Sequence, residues 1–559
     1  MDVIAGRKTQ GSIEGAILVN GYPKQGRTFN RLCGYVEQTD VHLATSTVRE
    51  ALHFSASLRL PSSVTIEQRT KFVNEVLDIL ELTPIADRLI GDATLHGLSL
   101  GQLKRVTIGV ELVANPSVLF LDEPTSGLDS RAALVVMRVV KRISSTGRSV
   151  LCTIHQPSAE LFSMFDRLLL LGKGGVQVYF GPLGQDGEQL VSYMERTMTA
   201  AGQRPHPKPK STNPASWMLD VLGSAQAAGP DQLNFAAAYQ HSELQKQNTV
   251  ELEEAARIQD GRAEVRFDSV YAATLSRQLR ALCFRTFQFY WRSPGMVWLR
   301  VFNMLLLSVL FGFLYLKEGI STTAEVTAQL CAVFVGIAFP GWSSMSVVIP
   351  LTMRKRLVFY REQASLVYSP LVYAFSLSLV ELAYTALSTF LFLSCFYEMV
   401  GFRNDASGFF RYWLVEYCVL LVIVSLGQLC AAAMPNELVA NLMSSLVFTF
   451  AFLFSGIYIL AGQLPRGWKW LYYTFWVPKA LIPILMDQYY CEGSDCPQLY
   501  DVLTPEGVLV EQMSVSDYLT NFLDAGNWYW QYIGYLILTY GVMQALVWLA
   551  IASINHVKR

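Results

Sequence analysis

Long apolar stretches in the second half of the chain constrain its fold more than any other feature. A helix needs about 20 mostly apolar residues to cross the hydrocarbon core of a bilayer. Six stretches of the sequence meet this requirement, at residues 297–316, 327–349, 371–396, 412–433, 438–460 and 531–553. We therefore predict a multi-pass integral membrane protein with six membrane-spanning helices.

Composition agrees with membrane insertion and excludes two other classes of protein. Hydrophobic residues make up 52% of the chain and charged residues 16%, against about 45–50% and about 25% in soluble globular proteins. A formal net charge of -1 offers no basic excess for a nucleic-acid partner. Nine cysteines in 559 residues are too sparse for a protein held together by disulfides.

The polar first half has a different pattern from the apolar second half. Before about Trp291, short apolar runs alternate with charged, helix-like stretches, which predicts an α/β domain over residues 1–198. A stretch rich in Pro, Gly and Ala at about 199–230 predicts a loop or surface crossing, at the start of a connecting region over 199–290. Residues 291–559 are predicted to form an all-α membrane domain.

Basic residues beside the spans predict the orientation of the chain, because Lys and Arg concentrate on the cytoplasmic side. They occur before the first span, between the second and third spans, and at the end of the chain, as Arg277, Arg280, Arg285, Arg292, Arg354, Lys355, Arg356, Arg361, Lys558 and Arg559. We therefore expect the first half and both termini to be cytoplasmic, and a large loop at 461–527 to lie outside.

Cys491 and Cys496 lie close together in that predicted outer loop. A disulfide between them suits an oxidising compartment. A metal site is the alternative, but the loop has no nearby His or second Cys pair to complete one, so we favour the disulfide. The other cysteines are scattered singly and are predicted to be reduced packing residues, namely Cys33, Cys152, Cys283, Cys331, Cys395, Cys418 and Cys430.

The strongest chemical signal is SVLFLDEPTSGLDS at residues 117–130. An apolar strand that ends in Asp122 and Glu123 puts carboxylates at the C-terminal edge of a sheet, where α/β proteins bind ligands. Asp122 there could hold Mg²⁺, and Glu123 could polarise the water that attacks a phosphate. Two acidic turn residues after a strand would be a simpler explanation, and the surrounding motifs decide between the two.

Three further motifs supply groups suited to phosphate and metal. In LSLGQ, Ser99 and Gly101 precede an amphipathic run, so free helical N–H groups can face an anion, although a helix N-cap would explain Ser99 alone. His155 follows a second apolar strand run at 149–154 and could contact the same phosphate, although such a histidine is more often structural. Gln38, in GYVEQTD, could reach Mg²⁺.

Taken together, YVEQTD, LSLGQ, VLFLDE, SGLD and TIHQP, in this order and at this spacing, resemble the nucleotide-binding domain of an ATP-binding cassette (ABC) transporter. The resemblance implies a P-loop NTPase-type α/β fold with ATP and Mg²⁺ as cofactors. It also implies roles for Gln38 (Q-loop), Ser99, Gly101 and Gln102 (signature), Asp122 and Glu123 (Walker B), Asp129 (D-loop) and His155 (switch histidine).

A nucleotide-binding domain followed by six spans is similar to the G subfamily. TVREALHFSASLRLP, TSGLDSRAA and VFYREQASLVYSP resemble the C-terminal half of a pleiotropic-drug-resistance transporter. This implies half of an ATP-driven exporter of amphipathic small molecules or lipids in the plasma membrane. Its implied partners are membrane lipid and a complementary nucleotide-binding and membrane half.

The sequence departs from the family pattern in two places. Leu100 replaces the first glycine of the usual LSGGQ signature, which removes a position of close backbone approach. The phosphate-binding loop GxxGxGK[ST] does not occur, so we expect the domain over 1–198 to be partial, truncated just after that loop. Without the loop the phosphates lose their main cradle, and we expect no ATP hydrolysis by the chain alone.

Two other functions compete with the half-exporter. One is a non-catalytic partner that places LSLGQ against another protein's phosphate-binding loop. The other is an ion channel, which the spans disfavour because they contain few ionisable residues, chiefly Arg300, Glu381 and Glu416. Charges inside a bilayer are costly, so we expect these three to be paired structurally, with contact to a transported molecule as the second interpretation.

Overall fold

The computed structural model describes residues 1–8, 11–26, 28–92, 97–202, 207–209, 212–227, 234–258, 263–317, 321–459, 463–490, 496–503, 509–523, 526 and 528–556. The chain divides into two compact units. The first contains Met1–Thr274 and Ala364–Val367, and the second contains Leu275–Gln363 and Tyr368–Lys558. The predicted boundaries at 198 and 290 remain predictions.

The first unit is built around a small parallel sheet. The strands of this unit are β1 (Leu18–Val19), β2 (Tyr22–Pro23), β3 (Cys33–Val36), β4 (Val118–Leu121), β5 (Ser149–Cys152), β6 (Arg167–Leu171) and β7 (Gln177–Pro182). The parallel sheet has the order β3-β4-β5, while β1-β2 and β6-β7 form antiparallel pairs. The two apolar runs predicted as strands are confirmed as β4 and β5.

The described part of the first unit also contains ten α-helices, some of which pack on the parallel sheet and others on the β6-β7 pair. They are α1 (Asp2–Ala5), α2 (Val48–Arg59), α3 (Ile66–Ile79), α4 (Leu100–Leu112), α5 (Ser130–Ser144), α6 (Ala159–Phe162), α7 (Glu188–Ala200), α8 (Pro214–Ala227), α9 (Phe235–Gln240) and α10 (Glu243–Ala256). In α5 the buried residues Ala133, Val136, Met137 and Val140 recur at helical spacing. They join Leu119 and Leu121 of β4 in one apolar core.

The prediction of a loop over 199–230 is wrong for Pro214–Ala227, which forms α8. Trp217 and Met218 of this helix are buried in a core that also contains Leu190 and Met194 of α7. The sequence pattern did not predict α8, because the stretch is rich in Pro, Gly and Ala and the buried face of the helix has only a few large apolar side chains.

The second unit is mainly helical. Its helices are α11 (Leu275–Trp291), α12 (Pro294–Leu314), α13 (Thr323–Ala364), α14 (Pro370–Val400), α15 (Ala406–Ala433), α16 (Glu437–Leu453), α17 (Lys469–Thr474), α18 (Trp476–Tyr489), α19 (Val515–Leu523) and α20 (Tyr529–Ser553). The predicted outer segment also contains an antiparallel pair of strands, β8 (Gln498–Leu503) and β9 (Leu509–Ser514).

Five helices among the described residues are long and apolar enough to cross a membrane: α12, α13, α14, α15 and α20. The predicted span at 438–460 corresponds to α16, which has 17 residues and is shorter than the roughly 20 that a span needs. The count of six is therefore not confirmed. In α15, 83% of the most apolar window is buried, so this helix lies at the centre of the unit.

Two of the three ionisable residues in the predicted spans form an ion pair. Arg300 Nη1 lies 3.1 Å from Glu381 Oε2, and the Tyr290 hydroxyl donates to the other carboxylate oxygen at 2.5 Å. The expected pairing is thus present for Arg300 and Glu381. It is absent for Glu416, whose carboxylate oxygens have no hydrogen-bond partner among the described residues.

The cysteines follow the predicted division where they are described. The seven scattered cysteines are free thiols. Cys496 is disulfide-bonded, whereas Cys491 lies outside the described residues, as do Lys558 and Arg559. The pairing of Cys491 with Cys496 therefore remains a prediction.

Thiol labelling of intact cells tests that pairing and the outward placement of the loop together. We expect an impermeant maleimide to label Cys491 and Cys496 only after reduction, because a disulfide blocks both thiols in an oxidising compartment. Labelling of both cysteines without reduction would contradict the disulfide. Failure to label either one after reduction would contradict the outward placement.

Candidate functional site

Polar residues follow all three strands of the parallel sheet and share one edge of it. Val36 is paired with Leu121, and Leu121 with Cys152, so the segments that follow these residues leave the sheet side by side. This carboxyl edge is the usual ligand-binding position in open α/β sheets. It carries Gln38 after β3, Asp122 and Glu123 after β4, and Thr153 after β5.

Hydrogen bonds connect these four side chains into one group, which we call the sheet-edge cluster. Gln38 Nε2 donates to Glu123 Oε2 at 2.8 Å, and the Thr153 hydroxyl donates to Asp122 Oδ1 at 2.8 Å. The backbone N–H of Glu123 donates to Thr153 Oγ1 at 3.0 Å. The structure thus brings together three predicted site residues, Gln38, Asp122 and Glu123, and adds Thr153.

Glu123 has an unusual backbone conformation, with φ at +43°. Non-glycine residues rarely occupy this left-handed region, and the strain costs on the order of 1–3 kcal/mol. The bond from its N–H to Thr153 helps to hold this conformation. Together with the hydrogen bond from Gln38 to the carboxylate, this bond fixes the position of Glu123 at the sheet edge.

A tyrosine supports the other carboxylate of the cluster. The Tyr35 hydroxyl lies 2.5 Å from Asp2 Oδ1 and 3.2 Å from Asp122 Oδ2. Burial and the hydrogen bond to Asp2 raise the pKa of Tyr35. Tyr35 therefore stays protonated at neutral pH and acts as a hydrogen-bond donor between two carboxylates.

Lys104 is a site residue that the sequence did not reveal. It lies in α4 and is only 2% exposed. Its ammonium donates to the backbone oxygens of Gln38 at 2.8 Å and Glu37 at 3.3 Å, and it pairs with Asp40 at 3.1 Å. Lys104 therefore fixes the backbone that carries Gln38. The feature of the sequence that could have identified Lys104 as a site residue is its position directly after LSLGQL.

The signature residues form a helix start in this structure. Ser99 is the N-cap of α4, and Ser99 and Gln102 bond to each other's backbone N–H in a capping box. A Cβ at Gly101 would lie 3.1 Å from Cβ of Ala132, so glycine allows α4 and α5 to approach closely. Leu100 is 61% exposed. In this structure Ser99 therefore acts as a helix N-cap, which was the alternative interpretation of this residue.

The structure does not bring Asp129 and His155 into the sheet-edge cluster. Asp129 is the N-cap of α5 and accepts a hydrogen bond from Ala132 N at 2.6 Å. His155 is exposed two residues after Thr153. Within the described ranges no hydrogen bond or ion pair involves the His155 ring.

The donors of the sheet-edge cluster suit Mg²⁺ chemically. Asp122, Thr153 and Gln38 offer carboxylate, hydroxyl and amide oxygens, the ligand types that this ion prefers. In the part of the chain that the structure describes, no group of three or more His, Cys, Asp or Glu could hold a metal by itself. In proteins that bind Mg²⁺ with a nucleotide, one or two carboxylates and the substrate phosphates usually share the ion.

Family models match both units of the chain. The ABC transporter model matches residues 1–126, and two ABC-2 type transporter models match residues 155–225 and 277–481. A crystal structure of a nucleotide-free ATP-binding cassette from an ABC transporter is 22% identical, with a TM-score of 0.29, and the match covers 34% of this chain and 78% of that chain.

Plant proteins of one type resemble the whole chain. ABC transporter G family member 53 of Oryza sativa subsp. japonica is 35% identical across 100% of this chain and 38% of its own length. Pleiotropic drug resistance protein 1 of Petunia hybrida is 36% identical across 100% of this chain and 37% of its own length. The chain thus spans less than two fifths of the length of these relatives.

Proposed function

Because the chain belongs to the ABC transporter family, in the G subfamily of pleiotropic-drug-resistance type, we propose that it forms half of an ATP-driven exporter. The cargo we propose is an amphipathic small molecule or a lipid. The observation that best supports this proposal is the sheet-edge cluster, in which Gln38 donates a hydrogen bond to Glu123 beside Asp122. The described part of the same chain contains five helices that could span a membrane.

The sheet-edge cluster supports ATP hydrolysis through distinct roles for its side chains. Glu123, held by Gln38 and Thr153, would orient and polarise an attacking water. Asp122 is the residue that would hold Mg²⁺, which neutralises charge on the phosphate oxygens when bound. Thr153 and Tyr35 keep the Asp122 carboxylate in place by donating to its two oxygens.

We propose that a complementary nucleotide-binding and membrane half completes the transporter. The phosphates of ATP bound to that complementary half would meet the start of α4, where Ser99, Gly101 and Gln102 lie. Within this half, His155 would contact the phosphate of ATP. Asp129 would lie at the contact between the halves. We place the assembly in the plasma membrane, with the first unit in the cytoplasm.

The first unit contains a path from Gln38 to the segment Ala364–Val367 at the end of α13. Glu37 precedes Gln38 and pairs with Arg7 at 2.7 Å. Arg7 donates through its other terminal nitrogen to Ser365 Oγ at 2.8 Å, and both residues are buried. A shift of Gln38 on nucleotide binding would therefore reach Ser365 through two direct contacts.

The basic segment at 354–361 in α13 supports a role in transmitting this motion. Membrane anchoring alone would favour exposed charges, yet Lys355 and Arg361 are buried and Arg356 donates to three backbone oxygens. Arg361 lies 3.6 Å from Glu362, which itself binds Arg285 at 2.6 Å. Only Arg354 of this set is exposed.

Charge reversal at Arg361 distinguishes a role of the basic segment in transmitting motion from a role in anchoring the chain in the membrane. In a transporter that carries this chain and a phosphate-binding loop, we expect Arg361→Glu to lower transport at least tenfold and ATP hydrolysis much less. The reason is that a second acid beside Glu362 disrupts the buried ion pairs. Arg354→Glu is the matched control and should leave transport largely unchanged. A loss confined to surface expression would leave only the anchoring role.

Export itself can be measured in sealed inside-out vesicles that contain the same transporter. We expect ATP, and not a non-hydrolysable analogue, to drive uptake of a fluorescent phospholipid analogue or a cationic rhodamine dye. Uptake of neither probe, or equal uptake with both nucleotides, would contradict an ATP-driven exporter of amphipathic molecules.

A further inference from the structure

Three tyrosine rings surround a lysine in the second unit, and we call this arrangement the lysine-tyrosine site. Lys479 Nζ lies 6.0 Å from the ring centroid of Tyr472, 5.5 Å from that of Tyr473 and 5.4 Å from that of Tyr532. These rings belong to α17 and α20, and Lys479 belongs to the first turns of α18. The ammonium is therefore held in one place by rings from two neighbouring helices.

The positive charge of this site is not neutralised within the described chain. Among the described residues, no Asp or Glu forms an ion pair with Lys479, and its ammonium donates no hydrogen bond there. Lys479 is half-buried. Aromatic faces attract a cation, but they carry no net negative charge. A held, half-buried and unneutralised ammonium is suited to bind an anion.

Two neighbouring features add hydrogen-bond donors to the same helix end. No side chain caps the start of α18, where Phe475 is the N-cap. The buried backbone N–H groups of Trp476 and Val477 therefore have no capping side chain, while Pro478 has no N–H to offer. Trp476 Nε1 is buried and has no acceptor among the described residues. Trp476 and Lys479 are three residues apart and share a helix face. The partial positive charge of a helix N-terminus also favours anions.

The surroundings of the site indicate which anion it meets. Exposed aromatic side chains come from the segments beside it, at Trp468, Trp470, Tyr473, Trp528 and Trp530. Trp and Tyr concentrate at the two interfaces between membrane and water. Phospholipid headgroups lie at that depth and carry a phosphodiester, which Lys binds as a point charge.

We propose that the lysine-tyrosine site and the start of α18 bind the phosphate of a membrane phospholipid. Lys479 supplies the charge, the uncapped N–H groups and Trp476 supply further donors, and the tyrosine rings fix the ammonium. The proposal goes beyond export and does not depend on ATP hydrolysis. It predicts a lipid that stays with the protein after extraction from the membrane.

Lipid binding by the purified full chain in detergent tests this proposal. We expect native mass spectrometry to show phosphatidylglycerol bound to the wild type, and Lys479→Gln to weaken that binding at least tenfold. Lys479→Arg keeps the charge and should retain most of it. Lys469→Gln is the matched control, because Lys469 begins α17 in the same aromatic region, and it should bind like the wild type.

Two competitors distinguish the chemistry and the source of the phosphate. An uncharged galactolipid should not displace phosphatidylglycerol, and displacement at equal concentration would overturn recognition of phosphate. Inorganic phosphate at millimolar concentration should displace little lipid, and full displacement would overturn the phospholipid as the ligand. Equal lipid binding by wild type and a folded Lys479→Gln would overturn the proposal. If Lys479→Gln does not fold, loss of lipid from a folded Lys479→Arg overturns it instead.

Discussion

ATP hydrolysis is expected to fall at least 100-fold when Glu123 is replaced by Gln, in a transporter that carries this chain and a phosphate-binding loop. A positioned general base contributes about 10²–10⁴-fold to a rate, and glutamine lacks the carboxylate that polarises water. ATP binding should stay largely intact, because Asp122 and its contacts from Thr153 and Tyr35 remain. The rate of phosphate release at saturating ATP measures the effect.

A matched control for this change is Glu75→Gln. Glu75 is exposed on α3 and loses the same charge without touching the sheet-edge cluster. Its hydrolysis rate should equal that of the wild type. If Glu123→Gln and Glu75→Gln both hydrolyse ATP at the wild-type rate, Glu123 is not the residue that polarises water.

The largest loss of stability is expected from Lys104→Met. Removing the ammonium leaves two backbone oxygens without their donor, and it leaves the Asp40 carboxylate, 11% exposed, with the Thr107 hydroxyl as its remaining contact in the described chain. Breaking a buried pair in this way costs about 3–5 kcal/mol, which lowers the thermal midpoint of a unit of this size by roughly 10 °C. Thermal unfolding of the purified protein in detergent measures the shift.

Lys71→Met is the control for the loss of a lysine, because Lys71 is exposed on α3. Its thermal midpoint should change by no more than about 2 °C, since surface substitutions usually stay within about 0.5 kcal/mol. A Lys104→Met protein as stable as Lys71→Met would contradict the anchoring role of Lys104. ATP hydrolysis should also fall in Lys104→Met, because the backbone that carries Gln38 loses its fixed position.

The sequence predicted the parts of the site that local patterns carry. The apolar runs before Asp122 and His155 identified β4 and β5, and the acidic pair marked the carboxyl edge of the sheet. Long apolar runs likewise identified α12, α13, α14, α15 and α20. These features depend on residues that are near each other in the chain, so a single sequence displays them.

Other features depend on residues that only the fold brings together. Lys104 reaches Gln38 across 66 positions, and Thr153 reaches Asp122 across 31. A lysine in a helix has no local mark of burial until its partner is placed beside it. The unpaired state of Glu416 was also hidden, because the helices that surround α15 determine whether a partner is within reach.

Photolabelling with azido-ATP tests most directly whether the sheet-edge cluster is the hydrolysis site that drives export. Wild type, Glu123→Gln and Asp122→Asn would be labelled with and without Mg²⁺ in the complete transporter, at equal protein. The account predicts more retained nucleotide in Glu123→Gln than in the wild type, and loss of the Mg²⁺ dependence in Asp122→Asn. Equal labelling of all three proteins, with the same Mg²⁺ dependence, would contradict it.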